Sequence, residues 1–121
     1  MNMQLHIEAA RLAEDVQREF NLAFPYLKLE FFNKVNNITS TKNKRIGDWQ
    51  FAPAAGIVAL SDETKVIDLL DNLKKEYNLN AQILRRSGNL WLQTTMTDSW
   101  SLKKQNDYGK ELSTFPGMID F

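Results

Sequence analysis

Hydrophobic residues in the first 24 positions recur at three- and four-residue steps, the spacing that places side chains on one face of an α-helix. The recurring positions are Leu5, Ala9, Leu12, Val16 and Phe20. Most other positions are charged or polar, and Pro25 ends the stretch because the residue before a proline avoids helical geometry. The pattern therefore predicts a first helix over this whole stretch, with His6 on its polar side.

The next stretches have the patterns of β-strands. In "YLKLEFF" at residues 26–32, apolar and charged positions alternate with the two-residue period of a strand that buries one face. "AGIVAL" at 55–60 is apolar throughout, as in a central strand. The polar connection at 33–55 is long for a compact domain, and a short strand in "RIGDWQF" at 45–51 would divide it. Residues 33–46 hold few apolar anchors, so we expect them to be mobile.

A second helix is predicted after the apolar strand. Ser61–Thr64 supplies side chains that cap a first turn, and Asn78 is a natural stop. Between them, apolar residues again recur at helical spacing and form the expected buried face. They are Val66, Leu69, Leu70, Leu73 and Tyr77.

A last helix is predicted from the capping residues at 97–101 to Leu112. Gly109 lies where a large apolar residue is expected, and a glycine inside a helix costs about 1 kcal/mol relative to alanine. Two explanations remain open. Either the backbone at Gly109 approaches the sheet or Trp100 closely, or the helix ends at Tyr108.

Gly88-Asn89 marks a two-residue hairpin turn of the II′ kind between predicted strands at 80–86 and 90–96. Such a turn places Arg86 opposite Trp91, where the two would form a cation–π pair worth about 0.5–1 kcal/mol. The expected core face is Ala81, Ile83, Leu90, Leu92 and Met96, and the mixed face is Gln82, Leu84, Arg86, Trp91, Gln93 and Thr95. A three-residue turn would exchange half of these assignments.

The order α-β-(β)-β-α-β-β-α over residues 1–121 predicts a single α+β domain, with an antiparallel or mixed four-stranded sheet packed against helices. The segment 56–84 has the length of a crossover from strand through helix to strand. A grasp-like fold, in which one helix lies across a four-stranded sheet, is the alternative. The sequence contains no repeat and no internal domain boundary.

Composition restricts the possible functions. The 121 residues include 15 basic and 15 acidic residues, one histidine and no cysteine. The lack of cysteine excludes disulfides, thiolate nucleophiles and Cys-ligated zinc, and His6 alone does not make a metal site. Because phosphate-binding glycine loops and nucleophile–base pairs are also missing, no catalytic residue, cofactor or metal is predicted. The chain shows no signal peptide and no segment long enough to span a membrane, so a cytoplasmic location is expected.

Basic residues are clustered locally. Lys42, Lys44 and Arg45 lie near Trp49 in the long connection, and Arg85-Arg86 precedes the hairpin turn. Cations interleaved with aromatic residues are typical of surfaces that bind single-stranded nucleic acid. The net charge of zero favours simple solvated loops instead, because phosphate binding depends on accumulated positive charge.

The C-terminal half of the chain resembles a group of small bacterial proteins of uncharacterised function. The likeness rests on "RRSGNLWLQTTMTDSWSLKKQNDYGKEL" at 85–112 and on the preceding "VIDLLDNLKKEYNLN" at 66–80. Those proteins share an ending in which a hairpin is followed by a helix. The resemblance implies a bacterial origin and carries no activity and no site residues.

The favoured hypothesis is a non-catalytic cytoplasmic domain that binds another protein or forms a homodimer. Its candidate surface is Leu84, Arg86 and Trp91, because Trp and Arg are enriched at interface centres. The first helix or the tail at 115–121 could cover Trp91 instead. A weaker candidate surface, serving the alternative of a nucleic-acid-binding accessory domain, is Lys42, Lys44, Arg45 and Trp49. A second alternative is a small-ligand or enzymatic domain with a pocket between the sheet and residues 33–50.

Overall fold

The computed structural model describes residues 2–33 and 43–114. This part of the chain contains five strands and three helices, so the α+β class is confirmed. They are β1 (Asn2–Ile7), α1 (Ala13–Ala23), β2 (Leu27–Phe31), β3 (Gly56–Ser61), α2 (Val66–Tyr77), β4 (Ala81–Ser87), β5 (Leu90–Gln93) and α3 (Leu102–Thr114), with short 3₁₀ turns at Ile46–Trp49 and Thr95–Thr97. Within the described ranges, no helix combines the length and the apolar character needed to cross a bilayer.

The strands form two antiparallel sheets among the described residues, so the single four-stranded sheet of the sequence prediction is wrong. β1 pairs with β3, and the second sheet has the order β2-β4-β5. Because β3 and β4 belong to different sheets, α2 joins two sheets and segment 56–84 is no crossover within one. The mixed-sheet and grasp-like alternatives are wrong for the same reason.

The first segment is a strand followed by a helix, where a single helix was predicted. Leu5 and Ile7 are buried with a period of two, while His6 between them is exposed and lies opposite Ile57 of β3. Leu5 belongs both to this alternation and to the helical spacing that continues into α1, which begins only at Ala13. The helical spacing therefore does not correspond to a helix N-terminal to Ala13.

α2 forms where its apolar pattern predicts. Asn78 ends it in the left-handed conformation (φ 55°), which asparagine tolerates better than most residues. The predicted caps do not act on the first turn, since the residue before the helix is Lys65 and makes no side-chain cap. The Thr64 hydroxyl instead accepts a hydrogen bond of 2.9 Å from the backbone of Ser61, which forms the turn that leads from β3 into α2.

The N-termini of α1 and α2 share one structural feature, which the sequence does not reveal. An isolated antiparallel bridge ties the residue before each helix to a later part of the chain. Leu12 pairs with Arg45 before α1, and Lys65 pairs with Ser101 before α2. The units β1-α1-β2 and β3-α2-β4 are therefore similar in topology, and their strands pair β1 with β3 and β2 with β4.

One hydrophobic cluster draws on both sheets and on all three helices. Its largest fully buried side chains are Phe20, Phe24, Phe31, Leu5, Ile7, Leu27, Leu29, Ile46, Leu69, Leu73, Leu79 and Ile83. In the second sheet, Leu27, Leu29, Phe31, Ala81 and Ile83 lie on the face that joins this cluster. That face is the core side of the sheet, and the hairpin β4–β5 extends beyond it.

α3 continues through Gly109 to Thr114, so the explanation by close approach is correct. A Cβ atom at Gly109 would lie 2.9 Å from the Tyr26 Cβ and 3.1 Å from the Arg85 Cγ. The helix begins after Ser101, whose hydroxyl accepts a hydrogen bond from the backbone of Lys104. Glycine at position 109 thus allows the helix to lie directly on β4 and on the loop before β2.

Candidate interaction surface

The predicted register of the β4–β5 hairpin is confirmed at its turn. Arg86 lies opposite Trp91 and Leu84 lies opposite Gln93. Gly88 has φ 62°, and Asn89 is not among the residues with positive φ, which is the pattern of a two-residue II′ turn. The sequence therefore placed Leu84, Arg86 and Trp91 correctly on one face of the sheet.

Beyond Gln93 the predicted ladder is wrong. β5 ends there and Thr95–Thr97 form a 3₁₀ turn, because the Thr94 hydroxyl bonds to the Ile83 carbonyl at 2.8 Å in place of a strand pairing. Met96, predicted in the core, is 97% exposed. Leu90 and Leu92, also predicted in the core, are exposed as well. The outer part of the hairpin therefore presents apolar side chains to solvent.

The second face of the β2-β4-β5 sheet, here called the open face, carries the candidate residues. It consists of Lys28, Glu30, Gln82, Leu84, Arg86, Trp91 and Gln93. None of these seven side chains belongs to the core cluster of the described residues. Leu84 is nevertheless only 8% exposed, while Trp91 is half-buried and Arg86 is exposed. The open face is thus a sheet surface with an apolar centre and a polar surround.

The cation over Trp91 is Lys28, where the sequence predicted Arg86. The Lys28 ammonium lies 5.8 Å from the Trp91 ring centroid and 3.6 Å from a carboxylate oxygen of Glu30. The Arg86 Nε instead donates a 2.9 Å hydrogen bond to the carbonyl of Gly88. Pattern reasoning missed Lys28 because β2 is distant in sequence, and only the pairing of β2 with β4 brings it beside the hairpin.

A row of polar contacts crosses the open face from β2 to β5. The Gln82 Nε2 donates to the Glu30 carboxylate at 3.1 Å, and the Gln93 Nε2 donates to the side-chain oxygen Oε1 of Gln82 at 3.4 Å. With the pair of Lys28 and Glu30, these contacts link all three strands. The neighbours of Leu84 are therefore held in place before any partner binds.

Arg85 points to the opposite face and holds α3 against the hairpin. Its Nη1 donates a 2.8 Å hydrogen bond to the Gln105 side chain, and its guanidinium lies 4.8 Å from the Tyr108 ring centroid. The Trp100 ring is the next aromatic neighbour, at 6.0 Å. Although the sequence groups Arg85 with Arg86, the two side chains lie on opposite faces of β4 because neighbouring residues in a strand alternate.

The described residues of the weaker candidate surface do not form one exposed patch, since some are exposed and one is in the core. Lys42 lies outside the described residues, whereas Lys44 and Arg45 are exposed. Trp49 is a core residue that is 9% exposed, so it offers no free ring for stacking on a base. The Arg45 Nη1 donates to the carbonyl of Ala10 at 2.6 Å, which ties this segment to the loop before α1.

The predicted strand at 45–51 is a 3₁₀ turn at Ile46–Trp49. A carboxylate oxygen of Asp48 accepts a 2.8 Å hydrogen bond from the backbone N–H of Arg45, and such local bonds compete with strand formation. Ile46 is fully buried and therefore anchors one end of the stretch predicted to be mobile. Residues 34–42 of that stretch lie outside the described part of the chain.

The first sheet and the metal-ligating residue types of the described ranges offer little chemistry. A groove of about 740 Å³ runs along β1 and β3, and its lining residues carry no ionisable side chain. They are Asn2, Met3, Gln4, Ala59, Leu60, Ser61 and Thr64. No three Asp, Glu, His or Cys residues of the described ranges lie close enough together to hold a metal ion.

Comparison with known proteins adds no relative: no family model, no curated protein and no solved structure matches this chain.

Proposed function

We propose that this chain is a non-catalytic protein-interaction domain whose contact surface is the β4–β5 hairpin. The observation that carries the proposal is Trp91, a half-buried tryptophan beside Leu84 on a sheet face that contributes nothing to the core cluster of the described residues. Large aromatic residues that stay accessible above an apolar base are typical of interface centres.

The arrangement around Trp91 favours binding through preorganisation. Lys28 lies over one face of the ring, and Glu30, Gln82 and Gln93 are linked to one another or to Lys28 by polar contacts. A partner therefore meets side chains that have already lost much of their rotational freedom, which reduces the entropic cost of association. On the other face of the hairpin, Leu90 at the turn end adds accessible apolar area, since it is 64% exposed.

A photo-crosslinking amino acid tests this surface directly in living cells. We expect p-benzoylphenylalanine at Trp91 to give covalent protein adducts on irradiation. The same residue at Leu22 of α1, an apolar position that is 74% exposed, is the matched control and should give few adducts. Equal yields from both positions, or no adduct from position 91, would contradict the proposal.

Nucleic-acid binding is the competing function, and we expect it to be weak. The net charge is zero and Trp49 is buried, so neither long-range attraction nor stacking by that ring is available. Fluorescence anisotropy with single- and double-stranded oligonucleotides at about 150 mM salt measures this. Submicromolar binding of an oligonucleotide that weakens steeply as salt is added would contradict the protein-interaction proposal and favour nucleic-acid binding.

A further inference from the structure

Backbone groups at the outer edge of β5 have no hydrogen-bond partner within residues 2–33 and 43–114. The backbone N–H of Arg86 donates a 3.0 Å hydrogen bond to the carbonyl of Tyr26, on the β2 side of β4. Arg86 therefore cannot also bond to its opposite residue, so Arg86 and Trp91 form a non-hydrogen-bonded pair of the β4–β5 ladder. The N–H and C=O of Trp91, and by alternation those of Gln93, point away from β4. No described residue bonds to them.

The outer edge of β2, at the other side of the same sheet, is covered. Side-chain amides from α1 donate to its carbonyls: Asn21 to Leu27 and Gln17 to Leu29, both at 2.8 Å. Edge strands pair readily with other strands unless they are covered, charged or interrupted by proline. One edge of this sheet is thus covered by α1, whereas no described residue bonds to the outward backbone groups of β5.

β5 also lacks the usual side-chain protection of an edge. Its sequence, Leu-Trp-Leu-Gln, contains no charge and no proline. Leu92 is 42% exposed although it lies on the core side of the sheet. In the other sheet, β1 exposes only polar side chains besides the half-buried Met3, and the Tyr77 hydroxyl donates to the Ile57 carbonyl of β3. The β5 edge is the one best suited to accept another strand.

We propose that β5 pairs antiparallel with β5 of a second copy of this chain, about a two-fold axis at Leu92. This inference names the partner for the function proposed above and rests on it. With the axis at Leu92, Trp91 bonds to the partner's Gln93 and Gln93 bonds to the partner's Trp91. Every outward N–H and C=O of the two strands is then used. An axis at Trp91 would leave Gln93 facing the turn.

A second copy suits this edge electrostatically. Self-pairing brings no like charges together along β5, and the zero net charge of the chain adds no long-range repulsion between copies. Two three-stranded sheets would join into one sheet of six strands. Because each strand is only four residues long, the interface is small, and we expect a weak dimer with a micromolar dissociation constant.

Gln93→Pro tests the backbone pairing. Proline removes an N–H to which no described residue bonds and blocks strand addition at that edge, so the hairpin is expected to stay intact. We expect sedimentation velocity of the full chain to show a dissociation constant at least about tenfold higher than that of the wild type. Gln93→Ala removes the same side chain and its contact with Gln82 but keeps the N–H, so its dissociation constant should lie closer to that of the wild type than to that of Gln93→Pro. A wild type that stays monomeric at high concentration, or a Gln93→Pro variant that dimerises equally well, overturns the proposal.

Oppositely charged substitutions at Leu92 test the position of the symmetry axis without introducing a proline. Residues that face each other across a non-hydrogen-bonded pair lie close together, so Leu92→Lys and Leu92→Glu should each be monomeric. An equimolar mixture of the two variants should recover dimer. Recovery locates Leu92 at the axis, and its failure with two folded variants overturns the register. Monomeric wild type together with Trp91 adducts to a different protein would reject self-pairing while leaving the proposed function in place.

Discussion

Gly109→Val is expected to destabilise the fold by about 2–3 kcal/mol, the cost of overpacking a well-packed contact. The first new atom would lie 2.9 Å from the Tyr26 Cβ and 3.2 Å from the Tyr26 carbonyl oxygen. Neither is the end of a flexible side chain, so α3 would have to move away from β4. Urea denaturation followed by circular dichroism measures the loss as a lower midpoint.

Two companion variants separate this contact from helix propensity. Lys110→Val introduces the same residue at the next, exposed position of α3 and should cost less than about 1 kcal/mol. Gly109→Ala would stabilise an unobstructed helix by about 1 kcal/mol. A measured gain with alanine, or equal losses for the two valine variants, would mean that α3 does not lie against the sheet at Gly109.

The same contact links α3 to the candidate surface. The backbone N–H of Gly88 in the hairpin turn donates a 3.2 Å hydrogen bond to the hydroxyl of Ser113, in the last turn of α3. Displacement of the helix would therefore loosen the turn that sets the register of Trp91. Gly109 therefore affects the candidate surface indirectly, through the position of α3. The effects of Gly109 and β5 substitutions on binding should be compared only between variants that remain folded.

Local signals predicted the elements whose partners are close in sequence. The Gly88-Asn89 turn set the β4–β5 register, and the apolar stripe of α2 with its stop at Asn78 located that helix. In both cases the residues that decide the structure lie within one element or one turn. The division into two sheets depends instead on β1 pairing with β3, whose partners are 49 to 59 residues apart in sequence, from Ile7 with Gly56 to Asn2 with Ser61. No local pattern encodes that pairing.

The candidate surface was likewise predictable from local signals only where its residues lie within one hairpin. Leu84, Arg86 and Trp91 share a face because they belong to one hairpin. Lys28 joins them only through the pairing of β2 with β4, and Trp49 is buried only because Arg45–Trp49 folds into a turn against the rest of the core. Apolar content could not distinguish Leu92 and Met96 from core residues. The exposure of Leu92 follows from the position of β5 at the edge, and that of Met96 from the 3₁₀ turn that replaces the end of the predicted strand.

Gln105→Leu is expected to destabilise the fold by about 2–3 kcal/mol, because it leaves a charged group without its strongest partner. Gln105 is fully buried and accepts a 2.8 Å hydrogen bond from the Arg85 Nη1. Its amide nitrogen donates to the Thr97 carbonyl at 2.6 Å and to the Thr97 hydroxyl at 2.7 Å. The only hydrogen bond that Arg85 would keep to a described side chain is the 3.4 Å one to that hydroxyl, beside its contacts with the Tyr108 and Trp100 rings. Its Nε is already buried with no hydrogen-bond partner among the described residues.

A double-mutant cycle tests whether the charge is the cause. In Arg85→Leu/Gln105→Leu both polar partners are replaced, so no cation remains to be solvated under α3, and apolar replacement of a whole buried pair is often close to neutral. We therefore expect the double variant to be more stable than Gln105→Leu alone, with a coupling energy above about 1 kcal/mol. The stem of Arg85 also packs against Gly109, so Arg85→Leu should retain part of its contact with the helix. Lys110→Leu, on the exposed side of α3, is the control for the leucine substitution. If the losses of the two single variants simply add, then Arg85 and Gln105 stabilise the helix independently, and the hairpin is not held to α3 through this pair.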